Sequence, residues 1–254
     1  MANTPAQNLW NARDTDTQIT RDFDGFPTSE TEAYQIQADM IAASGLDVTG
    51  WKIGATVEAL FSVLGVTQPF LGPLFERYTY DNGAQIKALP GTKLETEITV
   101  RLKSDLPAKN TPYTRAEVEA AIQSIHPSFE IIGVRFDGEL PGAGFRAIAD
   151  GGLNAGTVIG PEITNWADYD LENYPVTLSV NGAVVCEGNF STLLWDHVFD
   201  ALIWSLAQPA LSKRGLLAND IIMTGTCTGM IPVATGDQAV ADFGKMGKVT
   251  ARFK

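Results

Sequence analysis

Cysteine, histidine and positive charge are all scarce in this sequence. The 254 residues include two cysteines, Cys186 and Cys227, far apart and without C-x-x-C spacing. That argues against a disulfide framework or a thiolate zinc site and leads us to expect reduced thiols in a cytoplasmic protein. The two histidines, His126 and His197, form no H-x-x-x-H pair, and no P-loop, G-x-S-x-G or G-x-G-x-x-G motif is present. Zinc hydrolysis, serine hydrolysis and dinucleotide binding therefore find no support. Lysine and arginine number 18 against 30 acidic residues, a net charge of −12. A negative field of this size speaks against nucleic acid or an anionic membrane surface as partner. A small anionic substrate remains compatible, because one bound metal ion reverses the local potential. No apolar run is long enough to cross a bilayer, and the stretch MANTPAQNLWNARDTDTQ lacks the basic and apolar regions of a signal peptide.

What is present reads as one soluble unit. Residues 29–44 form an amphipathic helix stopped by Gly45, residues 50–55 (GWKIGA) a short strand, and VEALFSVLG a helical segment ending at Gly65. QPFLGPLFERY, broken by Pro69, Gly72 and Pro73, is expected to be an ordered loop. The texture turns strand-rich near residue 85. KLETEITVRL alternates as a half-buried strand, Thr114 to Glu117 is a capping box opening a helix to about Ile125, and SFEIIGVRF reads as a central strand. LNAGTVIG is a further strand, and Asn181-Gly182 joins VTLSV to AVVCEG as a type I′ hairpin. A helix is expected over about Leu194 to Leu211, ended or bent by Pro209, with DIIMTG, QAVADFG and KVTARF as closing strands. Strands in runs, with few helices between them, indicate an α+β fold with a mostly antiparallel sheet or roll.

Three glutamates carry the chemistry. Side chains i and i+2 of a strand share a face, so Glu95 and Glu97 project together. On its own this pair reads first as a solvated strand face, with Lys93 and Arg101 as counter-charges. Glu130 shifts the balance, because it sits in the apolar run Phe129-Glu130-Ile131-Ile132, where a lone carboxylate costs several kcal/mol unless paired or metal-bound. A buried ion pair with Arg135 is the plain alternative. If the three converge, a hard divalent cation such as Mg²⁺ or Mn²⁺ suits their oxygen donors. Asp150, before Gly151-Gly152, reads as a turn carboxylate. Lys52, between Trp51 and Ile53, reads equally as an acid/base of depressed pKa or as a snorkelling edge lysine. His126, before Pro127, reads as a helix-end cap, and His197 as a structural hydrogen-bonder opening the long helix.

The order Trp51-Lys52-Ile53-Gly54, Gly72-Pro73-Leu74-Phe75, Glu95-Thr96-Glu97-Ile98, then Glu130 followed by Arg135, resembles the 2-keto-4-pentenoate hydratase family of the fumarylacetoacetate hydrolase superfamily. The likeness continues through Ala149-Asp150, Asn154-Ala155-Gly156, residues 220–225 and Gly236-Asp237, nearly the whole chain. It implies a fumarylacetoacetate hydrolase-like fold, a mostly antiparallel β-roll or barrel-like core with surrounding helices, with Mg²⁺ or Mn²⁺ on Glu95, Glu97 and Glu130. Residues 1–84 then make a helical N-terminal region bearing an active-site strand and loop, and residues 85–254 the β-rich catalytic core, integrated as one domain. The substrate implied is a 2-hydroxy-2,4-dienoate that is ketonised and hydrated to a 4-hydroxy-2-oxo acid. Lys52 is then the acid/base or carboxylate anchor, Asp150 orients substrate or water, and the protein is a homo-oligomer.

The chain departs from the family where Gly151-Gly152-Leu153 replaces a polar Asn-Ala-Ser, which bears on substrate identity and on the hydration step. A 2-oxo acid decarboxylase of the 4-oxalocrotonate type needs the same metal and is the nearest alternative. A member that keeps fold and metal in a non-hydratase role is a second. Residues 56–61 (TVEALF) lack the histidine of the superfamily's hydrolases, which counts against C–C hydrolysis.

Overall fold

Alternating and β-branched stretches settle into two sheets in the computed structural model, which describes residues 3–20 and 25–254. Two helices come first, α1 (Pro5–Thr15) and α2 (Glu30–Ser44), followed by β1 (Val48–Gly54), α3 (Ala59–Leu64), β2 (Phe70–Phe75), β3 (Thr79–Asp81) and β4 (Gln85–Ile86). The long antiparallel pair β5 (Lys93–Leu102) and β6 (Ile122–Ile132) follows, with α4 (Arg115–Ala121) between them. Then come α5 (Gly144–Ala149), β7 (Asn154–Ile159), β8 (Val176–Val180), β9 (Ala183–Gly188), α6 (Asp200–Leu206), β10 (Ile221–Thr226), β11 (Ile231–Pro232), β12 (Gln238–Asp242) and β13 (Lys248–Phe253).

The larger sheet runs β2-β1-β10-β5-β6-β7-β3, with β11 added to β5, and the smaller runs β4-β13-β12-β8-β9. Most pairings are antiparallel, while β1 with β10, β3 with β7 and β4 with β13 are parallel. The large sheet curls so that β2, from one end, approaches β7 near the other. This is the α+β class that the strand pattern indicated, and the curled half-barrel with surrounding helices that the family resemblance implied. It also crosses residue 85, since β1 and β2 share the sheet with β5 and β6. Its apolar filling includes Ile98, Val100, Phe129 and Ile222, all fully buried. No helix among the described residues is long and apolar enough to cross a membrane.

Local signals explain most elements. Ser29 caps α2 by accepting from the Glu32 N–H, and Gly45 ends it in the left-handed region. Thr4 and Gln7 form a capping box on α1, a helix that the sequence reading passed over. Asn181 (φ 52°) and Gly182 (φ 79°) make the expected hairpin turn.

Four expectations need correcting. QPFLGPLF is not a loop: its residues 70–75 pair with β1 as an edge strand, where Pro73 forfeits no ladder bond on the open side. The helix from Thr114 ends at Ala121 rather than near Ile125, because Ile122, Ser124 and Ile125 pair with β5 instead. His126 accordingly lies in β6, not at a helix end. The helix expected over 194–211 is confined to Asp200–Leu206: the Leu194 N–H donates to the Thr56 carbonyl (3.0 Å), drawing the segment's start toward the end of β1.

His126 and Gly72 each give a test of this packing. The His126 ring accepts from or donates to Ser124 Oγ (3.1 Å) and meets the Gly160 carbonyl (3.2 Å). Burial lowers its pKa below 6.5 despite the Gly160 bond. Below the unfolded value the unfolded chain takes up a proton that the folded chain refuses, so stability falls with pH until the folded histidine also titrates. His126→Gln is expected to flatten the loss of stability between about pH 7 and about pH 5, read from denaturation midpoints. At Gly72 a Cβ would lie 2.3 Å from the Gly151 carbonyl oxygen. Gly72→Ala is expected to cost about 1–3 kcal/mol in urea denaturation, and an unchanged midpoint contradicts that close approach.

Candidate metal centre and active site

The register of β5 against β6 sets Glu95 directly opposite Glu130, and the strand period adds Glu97 on the same face. One carboxylate oxygen from each lies within 4.8 Å of the others. Exposure is 9% for Glu95, 1% for Glu97 and nil for Glu130. The fourth charge comes from across the curl: Lys52 on β1 places its Nζ 3.2 Å from Glu130 Oε1. Phe70 on β2 lies beside the same ammonium, 5.8 Å from Nζ to the ring centre.

Three carboxylates facing one ammonium form an unbalanced cluster. Burial, then Glu130, push the Glu95 carboxyl up to about 8, against the pull of Lys52. Glu97 is driven well above the usual range by burial and its two neighbours, although the Gly225 N–H donates to its Oε2 at 2.9 Å. For Lys52, burial acts to lower the pKa, but Glu130, Glu95 and Glu97 together outweigh it and leave it raised. The depressed lysine that its apolar neighbours suggested is thus reversed by the carboxylates. Glu130 accepts from Asn154 Nδ2 (3.1 Å) and Lys52 through Oε1, while its buried Oε2 has no hydrogen-bond partner. Such an orphaned oxygen among crowded, protonation-prone carboxylates suits a hard divalent cation, which takes anionic oxygen ligands. The residues present fit Mg²⁺ or Mn²⁺.

The other candidate residues separate from this cluster. Arg135 does not pair with Glu130. It leaves the end of β6 and clasps Asp150, Nε to Oδ1 at 2.7 Å, with its backbone N–H on Oδ2 at 3.2 Å. Asp150 is fully buried there, at the C-terminal end of α5, and does not line the cavity beside the glutamates. His197 sits in the turn before α6, 3.4 Å from Glu172, and its Nδ1 accepts from the Phe199 N–H. Cys227 is buried near Glu97 and Cys186 is half-buried, both free.

That cavity measures about 70 Å³, and its polar lining side chains are Lys52, Thr56, Glu95, Glu97 and Thr226. A larger one of about 330 Å³, around Arg13, Tyr78 and Val134, shares no residue with it. Sequence reasoning did not assign roles to Asn154 or the Gly225 N–H, and it marked Leu153 only as part of a departure from the family. Asn154 was visible within Asn154-Ala155-Gly156, but a backbone donor such as Gly225 leaves no side-chain signal.

Comparison with known proteins agrees with this geometry. Residues 77–254 match the family model described as fumarylacetoacetate (FAA) hydrolase C-terminal. A 2-keto-4-pentenoate hydratase of Burkholderia vietnamiensis is 30% identical over 226 residues, 86% of this chain and 83% of its own. A 4-oxalocrotonate decarboxylase of a Pseudomonas species is 28% identical over 246 residues, covering 93% and 89%. Among solved structures, 4-oxalocrotonate decarboxylase from Pseudomonas putida, complexed with magnesium and adipate, superposes with a TM-score of 0.86 at 27% identity, covering 98% of this chain and 95% of that one. With a matched model over most of its length and near-full-length relatives of this kind, the chain belongs to the fumarylacetoacetate hydrolase family, among the 2-keto-4-pentenoate hydratases and their relatives.

Proposed function

We propose that this enzyme is a divalent-metal-dependent hydro-lyase that converts a 2-hydroxy-2,4-dienoate to a 4-hydroxy-2-oxo acid. The observation that carries this reading is the buried Glu95–Glu97–Glu130 cluster, with an unpartnered Glu130 oxygen, set beside Lys52 and a small cavity. Glu95, Glu97 and Glu130 would hold the metal. Bound there, Mg²⁺ or Mn²⁺ supplies a Lewis acid for the substrate's carboxylate and 2-oxygen.

The protein's own groups would do the rest. Ketonisation removes the 2-hydroxyl proton and delivers a proton to the far end of the diene. Hydration then adds the oxygen of water to carbon 4 and a proton to carbon 3. Lys52, buried 3.2 Å from Glu130, would be the acid/base for these transfers. Burial is the largest single influence on Lys52 and opposes its charge, so a cation that offset the carboxylates would favour the neutral amine that proton transfer needs. Asn154 and the Gly225 N–H hold Glu130 and Glu97 in their orientations. Asp150, whose carboxylate is engaged by Arg135, would act on substrate or water indirectly, by fixing the loop that leads to Leu153. The 4-oxalocrotonate decarboxylase likeness supports a second reading, loss of CO₂ from a 2-oxo dicarboxylate on the same groups.

Metal-loaded protein is expected to consume 2-hydroxypenta-2,4-dienoate, followed by loss of the dienol absorbance. No turnover, together with CO₂ release from a 2-oxo dicarboxylate in a coupled assay, would favour decarboxylation instead. Glu130→Ala is expected to abolish measurable Mg²⁺ binding by calorimetry, and an unchanged affinity overturns the ligand assignment. Lys52→Met is expected to keep Mg²⁺ binding and lose about a hundredfold or more in kcat. Turnover within about threefold of the parent would remove Lys52 from the proton transfers.

A further inference from the structure

The loop between α5 and β7 has an unusual backbone. Gly151, Gly152 and Leu153 follow one another at φ 73°, 72° and 64°, all left-handed. The two glycines accept this freely, whereas Leu153 pays for it sterically. Neighbouring bonds keep Leu153 in place. Upstream, Asp150 is clasped by Arg135, and the Gly152 N–H donates to the Ala147 carbonyl at 2.8 Å. At the leucine itself, the Gly133 N–H donates to its carbonyl at 3.0 Å, and Asn154 follows with its amide on Glu130. The bare glycines let the loop pass close over Lys52: a Cβ on Gly152 would lie 3.0 Å from Lys52 Cδ.

Leu153 is 5% exposed and lines the cavity beside the carboxylates. Leu60, Val63, Phe70, Leu140 and Met230 contribute to the same wall. Among the described residues Lys52 is the one cationic side chain in the lining, and Glu130 holds its ammonium. A carboxylate at the far end of a substrate would meet hydrocarbon without a counter-ion, which strongly disfavours it. An alkyl or alkenyl end gains there, by roughly fourfold in affinity for each methylene buried. The volume beside the carboxylates, about 70 Å³, holds roughly five to seven water-sized positions, which a short hydrocarbon end fills.

We infer that Leu153, presented by the left-handed Gly151-Gly152 turn, is a specificity-determining residue whose apolar wall selects 2-oxo or 2-hydroxydienoic acids with one carboxylate and a short hydrocarbon tail, and rejects dicarboxylates. This rests on the reading of the site as a metal-dependent 2-oxo acid centre, and names the substrate class of that same site.

Two ligands of equal chain length test it. 2-Oxopentanoate ends in a methyl group where 2-oxoglutarate ends in a carboxylate. Calorimetry on the Mg²⁺-loaded protein, with oxalate as a head-group control, is expected to show 2-oxopentanoate binding about tenfold or more tightly than 2-oxoglutarate. Leu153→Asn, which tolerates the left-handed region, is expected to bring the two within about threefold while leaving oxalate unchanged. Leu153→Ala is expected to shift the preferred tail from 2-oxopentanoate toward 2-oxoheptanoate. Equal affinity of the two C5 acids for the parent protein, with oxalate bound, overturns the tail selection alone. An unchanged ratio in Leu153→Asn removes Leu153 as its source. Failure of oxalate to bind overturns the metal-centre reading beneath it.

Discussion

Repulsion among buried carboxylates is the constraint around which the rest of the molecule is arranged. Glu95 and Glu130 face each other across two hydrogen-bonded strands, with Glu97 one pleat away, all largely shielded from water. Like charges directly opposite each other weaken a sheet, and desolvation raises the cost further. Lys52 offsets only part of it, as the upward displacement of Glu95 and Glu97 records. A fold that maintains such an arrangement holds a site poised for a cation. Removing Lys52 would leave buried carboxylates without their opposing charge, at a cost of about 3–5 kcal/mol.

The surroundings hold this cluster from several sides. The curl of the large sheet brings Lys52 from β1 over to Glu130 on β6, a contact that a flat sheet of the same strand order would not permit. Asn154 steadies Glu130 from β7, and the Gly225 N–H steadies Glu97 from β10. Farther out, the Arg135–Asp150 pair fixes the loop between α5 and β7. Polar restraint thus lies behind the carboxylates, and apolar surface lies in front of them, where a substrate tail would go.

Much of this was legible in the sequence because the relevant periods are short. Glu95 and Glu97 announce a shared face through the strand period of two, and Glu130 stands out as a charge in an apolar run. Asn181-Gly182 identifies its hairpin because few other residues accept both positive φ values. What escaped depends on distant partners. Pro73 looked like a loop breaker until β2 proved to be an edge strand. Ile122 and Ser124 could extend a helix, but pairing with β5 claims them. Arg135 is five residues from Glu130 and fifteen from Asp150, yet the nearer carboxylate lies on a strand face and the farther one beyond a loop that folds back. The pKa of Lys52 could not be read locally either, since three glutamates on other strands decide its direction.

The place of β10 has a consequence for how the protein comes into being. This strand, residues 221–226, is wedged between β1 and β5, elements made far earlier by the ribosome. Until it inserts, Lys52 and the glutamates belong to separate halves of an open sheet, and Glu97 lacks its backbone donor. Loop closure over so long a stretch is slow relative to local pairing. The site is therefore a product of long-range closure: no stretch of chain short of β10 can assemble it, however well its local pairs form.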